Sequence, residues 1–263
     1  MSTDRGAPVS LLARATAILD CFDVKRSALG VSDIARCTGL PKSTVSRLVG
    51  ELVDLRYLER DGAQVRLGLR LFELGELAAG PKELRKLAFA SMADLRDATG
   101  QTVQLGVLDG VEVVYVGILR GRSSVKLPSR VGGRMPAYAT GSGKALLAFS
   151  EPDVVERVIA NGLDAVGPRT IIDPEAFRRE LAFIRAAGVS YEVEESRPGI
   201  ASAASCIVDA AGVPVAAMSI SGRVGEFDAR RVGLAVRTAV VGLMRQLPHR
   251  PLDRIREQTG LSR

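Results

Sequence analysis

Two stretches of this chain hold side chains whose types and spacing fit recognition chemistry. In the first, Lys42, Ser43, Thr44, Ser46 and Arg47 are all hydrogen-bond donors and none is acidic. They are interleaved with Val45, Leu48, Val49, Leu52 and Leu55, apolar positions at helical spacing. A helix divided in this way packs one face and offers donors on the other, and such donors suit phosphate oxygens and base edges. In the second stretch, Gly141, Ser142 and Gly143 open a helical pattern after Thr140. Backbone N–H groups there, with the helix dipole behind them, would bind a carboxylate, although a close-packed glycine turn gives the same sequence. Ser219 and Ser221 alternate on one face of a strand pattern, and Cys206 stands among small residues. Small, weakly polar side chains converging from strands leave room for a ligand that larger ones would fill.

Other chemistries find no residues to carry them. Lys144 after the glycines invites a phosphate-loop reading, but Tyr138 occupies the position of the required first Gly, and Ala145 that of the Ser or Thr. The single histidine, His249, lies in a polar C-terminal tail, which leaves no candidate for a buried general base or a His-based metal site. Cys21, Cys37 and Cys206 are far apart and form no C-x-x-C pair, so all three are expected reduced, in or near cores. Neither a metal nor a cofactor is expected.

The chain has 263 residues, 46% apolar and 25% charged, enough for one large domain or two small ones with separate cores. It has no apolar run of about 18 residues and no basic-then-apolar start, so a cytoplasmic protein is expected. The net charge of +6 favours a polyanionic partner, yet residues 1–80 hold 11 basic and 10 acidic side chains. Charge therefore does not locate the binding domain; geometry must.

The elements that position the donors are legible. Residues 10–22 have a helical apolar face at Leu11, Ala15, Ile18, Leu19 and Phe22, and a short helix follows from Val31 with Ser32 as N-cap and Gly39 as stop. A Gly-containing turn then leads to the donor-bearing helix, predicted from Pro41 to Leu55, a helix-turn-helix pattern. Strand-like runs at 57–60 and 65–67 flank Asp61-Gly62-Ala63 and read as a wing. Residues 69–79 form a helical pattern stopped by Gly80 and Pro81, where the domain junction is placed, and an amphipathic helix covers 82–99 before Gly100.

Beyond residue 102 the period shortens. Strand patterns at 103–108, 111–119, 189–194, 204–208 and 215–221 mix with helical ones at 143–149, 151–160, 173–187 and 227–247, which makes the fold class α+β with a largely antiparallel sheet. The expected domains are a flexible N-terminus (1–9), a winged helix-turn-helix DNA-binding domain (10–68), a linker helix (69–81), an effector-binding domain (82–247) and a polar C-terminal tail (248–263).

GLPKSTVSRLVGELVDLRYLERDG with VRLGLRLFELG resembles the DNA-binding domain of the IclR family of bacterial transcription regulators. RVGGRMPAYATGSGKALLAF, EESRPGIASAASCIVDAAG and AAMSISGR continue the resemblance in the family's order over roughly residues 10–245. It implies a GAF-like C-terminal sensor fold, a linker that contributes to dimerisation, and an effector pocket at Gly141, Ser142, an acidic residue matching Glu194 or Glu195, Cys206, Ser219 and Ser221. Tyr138 departs from the family, which often carries His there. Arg134 is either a carboxylate partner or a structural ion pair, and the glutamates near 194 are either pocket residues or a solvated strand edge.

The expected function is sequence-specific DNA binding, on a palindromic or pseudo-palindromic operator, by a homodimer or dimer of dimers whose affinity is set by a small organic acid. Ser43 and Arg47 are expected at base edges, and Lys42, Thr44 and Arg66 at phosphates or the wing's groove, with Ser46 among the DNA-binding donors. Two rival readings remain: an enzyme acting on a small carboxylate with an appended DNA-binding domain, and an interaction module whose helix-turn-helix only dimerises.

Overall fold

The computed structural model describes residues 10–122, 127 and 129–246, in two compact units that divide after Ala78. The expectations for the N-terminus 1–9, the tail 248–263 and His249 lie outside the described residues.

The first unit opens with α1 (Leu11–Leu19), capped by the Ser10 side chain, which accepts from the Ala13 N–H. Helix α1 is shorter than expected and turns Leu11 and Leu12 to solvent; Ile18 is its fully buried anchor. A two-residue strand β1 (Ala28–Leu29) precedes α2 (Val31–Thr38). The N-cap of α2 is Gly30 rather than Ser32, because Asp33, one turn in, reaches back to the Gly30 N–H and closes the cap from the other side. Gly39 ends α2 at φ 70°, in the left-handed conformation that glycine adopts without strain.

Helix α3 (Lys42–Asp54) follows, with Pro41 as N-cap just outside the first turn. Its buried stripe is Val45, Leu48, Val49 and Leu52; Leu55 lies past the end of the helix and is exposed. The stripe packs with Ile18, Ile34, Leu58 and Val65 into the core of this unit. Each such burial contributes about 1.5–3 kcal/mol. Strands β2 (Leu58–Asp61) and β3 (Gln64–Leu67) pair antiparallel around Gly62, and β1 joins the far side of β3, an edge that the sequence did not announce.

Helix α4 (Leu69–Glu76) buries none of its residues, and Leu69, Phe72, Leu74 and the following Leu77 are all exposed. The chain breaks at Leu77 and Ala78, not at Gly80–Pro81. Helix α5 (Ala79–Thr99) takes those two into its first turn, where a proline's missing N–H costs nothing.

The second unit is a six-stranded antiparallel sheet in the order β6-β5-β4-β9-β8-β7. Its strands are β4 (Thr102–Asp109), β5 (Glu112–Leu119), β6 (Arg134–Pro136), β7 (Ser190–Val193), β8 (Ile200–Val208) and β9 (Pro214–Arg223). The short β6 was not expected, and β8 starts four residues before the predicted 204–208 run because Ala and Ser give a weak strand signal. Helices α5 and α9 (Ala229–Gln246) share one core with Leu105, Ile207, Met218 and Ile220 of the sheet. Helices α6 (Gly141–Phe149), α7 (Pro152–Ala160) and α8 (Pro174–Ala187) share a second core with Tyr115, Ala204, Cys206 and Ala217. The sheet is thus covered on both faces, which explains β-strands buried along nearly their whole length.

Candidate functional site

On the first unit, α3 presents Lys42, Ser43, Ser46 and Arg47 exposed and Thr44 half-buried, opposite the packed stripe. No acidic side chain lies in its first turn. Arg47 is held one turn on by Glu51, at 2.6 Å with both side chains about half exposed, so its guanidinium must exchange that carboxylate before binding anything else. An exposed i,i+4 pair is worth only about 0.3–0.5 kcal/mol, a small barrier to exchange. Arg66 sits in β3 directly across from Glu59 and pairs with it at 3.2 Å, while Glu59 also accepts from the Leu69 N–H at 3.0 Å. Arg66 is therefore tethered at the root of the wing.

On the second unit, the sheet and the start of α6 line a small, partly open pocket. Gly141, Ser142, Ser219 and Ser221 all line it, together with Gln104, Tyr115, Thr140, Glu192 and Ser202. Register explains the convergence: Gln104 of β4 and Ala204 of β8 flank Ser219, and Thr102 and Ser202 flank Ser221. The Ser142 hydroxyl donates to that of Ser219 at 2.9 Å, and Ser221 donates to the Gln104 carbonyl oxygen at 2.7 Å. The Gln104 amide in turn donates to the Ser129 hydroxyl. Thr140 caps α6 by accepting from the Gly143 N–H, which leaves the Gly141 and Ser142 N–H groups at the first two helical positions, where no intrahelical acceptor exists.

The glycines of the run meet different neighbours. A Cβ on Gly143 would lie 2.0 Å from the Ala137 carbonyl oxygen, so that glycine serves packing against the 3-10 turn Ala137–Ala139. A Cβ on Gly141 would meet the Ser202 hydroxyl at 2.6 Å on the pocket wall.

The acidic residue of the pocket is Glu192, not Glu194 or Glu195. Strand alternation turns Glu192 inward, where it accepts from the Ser202 and Ser196 hydroxyls at 2.9 and 3.0 Å and from the Glu195 N–H at 3.0 Å. Burial raises its carboxyl above the ordinary range, and those hydrogen bonds act against the rise. Glu194 has left the strand at φ 56° and accepts from the Gly199 N–H. Glu195 faces the other way and meets the Lys144 ammonium at 2.7 Å, with Glu180 adding a second contact at 3.1 Å. Lys144 has no exposed surface, so the lysine after the glycines points into the protein, away from any phosphate. Cys206 pairs with Ala217 farther along β8 and packs in the core beneath α6, outside the pocket wall. Arg134 binds Asp109 and Glu112 on the surface, the structural ion pair of its two readings. Tyr115, buried beside Ser142, is pushed up to about 12 and remains a neutral phenol.

Sequence reading missed Gln104, Tyr115, Glu192 and Ser202. A lone polar residue in the apolar run of β4 was the available signal for Gln104; the other three needed the strand register.

Residues 11–62 match the IclR helix-turn-helix domain, and residues 78–243 match the bacterial transcriptional regulator IclR C-terminal domain. The chain belongs to the IclR family. Among relatives of this family, the HTH-type transcriptional regulator XynR of Escherichia coli (strain K12) is 32% identical over 216 residues, covering 81% of this chain and 86% of its own length. The HTH-type transcriptional repressor AllR of Klebsiella pneumoniae is 33% identical over 224 residues, 84% of this chain and 82% of its own. An IclR homolog from Microbacterium hydrocarbonoxydans, solved in complex with 4-hydroxybenzoate, superposes with a TM-score of 0.84 at 35% identity, covering 93% of this chain and all of that one. The IclR assignment makes this chain a DNA-binding transcription regulator, with α1–α3 and the wing as DNA-binding domain and the six-stranded unit as effector domain. Among the described residues, no helix is long and apolar enough to cross a membrane.

Proposed function

We propose that this regulator is a cytoplasmic, non-enzymatic homodimer, or dimer of such dimers, that lays α3 in the major groove of a palindromic operator and is released or retained according to a small organic acid in the Gly141–Ser219 pocket. The observation that carries the ligand class is the pair of N–H groups at the start of α6 that have no intrahelical acceptor, in a pocket whose polar lining is mostly hydroxyls with the Gln104 amide and the Glu192 carboxyl. The Microbacterium relative's 4-hydroxybenzoate supports an aromatic hydroxy acid as the first compound to try. The bare apolar surface of α4, with Phe72 65% and Leu77 77% exposed, supports a second copy of this chain as its cover.

On DNA, Arg47 and Ser43 reach base edges, and Lys42, Thr44, Ser46 and Arg66 hold phosphates or the groove flank. Arg47→Ala is expected to weaken operator binding by about 1–3 kcal/mol and to relax preference at one base pair, measured by competition among operator variants. A uniform loss across all variants would place Arg47 on a phosphate instead.

In the pocket, an anionic ligand at the start of α6 lies near the Glu192 carboxyl. Burial already holds that carboxyl above its usual range, with Tyr115 neutral and Glu195 turned toward Lys144. Binding a second carboxylate raises it further, so binding takes up a proton and strengthens as pH falls. Calorimetric titration with 4-hydroxybenzoate is expected to give tighter binding as pH is lowered from 8 toward the ordinary carboxyl range, and Glu192→Gln should flatten that dependence. Tighter binding at pH 8, or no heat at either pH with aromatic and aliphatic acids alike, would defeat the organic-acid assignment.

A further inference from the structure

The pocket carboxyl of Glu192 is held from outside the pocket. Its Oε1 accepts from the consecutive N–H groups of Glu195 and Ser196 at 3.0 and 3.1 Å, so the turn that follows β7 folds back onto the side chain. The left-handed backbone of Glu194, at φ 56°, brings both N–H groups round to one oxygen. Such a turn needs anchors, and two other elements supply them. From α6, the Lys144 ammonium holds the Glu195 carboxylate at 2.7 Å, with Glu180 of α8 on it at 3.1 Å. From the loop before α8, the Thr170 hydroxyl accepts from the Gly167 N–H at 2.8 Å and donates to the Glu195 carbonyl oxygen at 2.6 Å. The Arg169 N–H donates to the Glu194 carbonyl oxygen at 3.2 Å. Gly167 lies so close that a Cβ there would be 2.3 and 2.7 Å from the carbonyl oxygens of Glu194 and Glu195.

We infer that Lys144 and Thr170, neither of which lines the pocket, are positioning residues for effector binding: by fixing Glu195 they hold two N–H groups on the Glu192 carboxyl and so set the charge it presents to the ligand. The inference rests on the reading of this pocket as the effector site. Helix α6 then governs both poles of the pocket. Gly141 and Ser142 at its start offer N–H groups to an anion, and Lys144, less than one turn on, ties down the turn that cradles the carboxyl. As a mere brace, a buried ion pair gains little over a well-packed apolar pair of similar volume.

Hydrogen bonds to a carboxylate favour its charged form, so slackening the turn raises the Glu192 pKa above its already raised position. The charged and titratable neighbours leave that effect visible. Tyr115 of β5 shares the pocket wall as a neutral phenol, Glu194 is engaged by the Gly199 N–H, Glu180 is on Lys144, and Arg169 and Arg197 are exposed.

The test follows the Glu192 carboxyl by carbon-13 NMR in the glutamate-labelled full chain without effector, its resonance assigned by its loss in Glu192→Gln. Thr170→Val is expected to move the titration midpoint to higher pH, while Thr170→Ser, which keeps the hydroxyl, retains the wild-type midpoint. Lys144→Met combined with Glu195→Gln leaves no uncompensated charge yet breaks the tie to α6, and should also move the midpoint upward. The pH dependence of 4-hydroxybenzoate binding should move with it. A shifted midpoint without 4-hydroxybenzoate binding at any pH would uphold the positioning and count against the organic acid. Wild-type midpoints in both Thr170→Val and the double variant, or an equal shift in Thr170→Ser, would overturn the inference and leave these side chains as braces of the domain.

Discussion

Lys144→Ala is expected to destabilise the effector domain by about 3–5 kcal/mol, the cost of leaving one partner of a buried ion pair uncompensated. Lys144 has no exposed surface, and its ammonium is shared by Glu195 at 2.7 Å and Glu180 at 3.1 Å. One Glu195 carboxyl oxygen already lacks a hydrogen-bond partner, so nothing else replaces the ammonium. Burial pushes the Glu195 carboxyl up to about 7, even with Lys144 pulling it down. An acid whose pKa is raised on folding binds more protons in the native state. Its contribution is therefore intact below the unfolded value of 4.5 and is lost as pH rises through about 7. Without Lys144 the folded pKa rises further. The destabilisation should then be large at pH 8 and much smaller at pH 5, by denaturant titration of the effector-domain transition. Lys144→Met combined with Glu195→Gln removes both charges and should recover most of the loss. Equal destabilisation at both pH values would mean that lost packing, not the uncompensated charge, governs the site.

Gly143→Ala is the second large effect. The added methyl would sit 2.0 Å from the Ala137 carbonyl oxygen and 2.4 Å from its α-carbon, both backbone atoms that no rotamer change can move. Either α6 shifts away from the Ala137–Ala139 turn or the turn unfolds, at a cost of about 3 kcal/mol or more. For a domain of this size that lowers its melting temperature by about 6–12 °C. Because α6 carries Gly141 and Ser142 into the pocket, ligand affinity should fall with stability. Gly199→Ala offers a comparison. It has no neighbour within 4 Å of the added methyl, and its φ of 75° makes strain its only cost, about 1 kcal/mol. Similar melting temperatures for the two variants would show that α6 is free to give way.

What could be read in advance follows physical lines. Helix α3 was legible because its apolar stripe and its donors occur at a period that only a helix satisfies, and its end at Asp54 was missed only because Leu55 continues the apolar pattern into solvent. The wing was legible from its Asp61-Gly62 turn. The link between α4 and α5 was not: Gly80 and Pro81 read as a breaker, but the same residues are compatible with a first helical turn, and position within the helix decides between them. In the pocket, Gly141, Ser142, Ser219 and Ser221 could be picked out from one motif and one alternation. Glu192 could not be told from Glu194 and Glu195, because the strand ends at Val193 and a one-residue difference in where alternation stops reverses which carboxyl faces inward. Cys206, expected in the pocket, lies one same-face pair beyond the Ala204–Ser219 pair and outside the pocket lining.

On the proposed function, α3 recognises a specific DNA site under control of an acid bound near Ser142 and Ser219. The most direct measurement is a gel shift with the chain's own upstream intergenic DNA, at fixed salt, with and without 4-hydroxybenzoate and a panel of related acids. Retention of that fragment over unrelated DNA of equal length, changed at least several-fold by one acid and insensitive to that acid in a Ser219→Leu variant that still binds DNA, is the expected result. Specific retention that responds to the acid equally in wild type and Ser219→Leu would contradict the pocket, and retention equal on every DNA would contradict sequence recognition by α3.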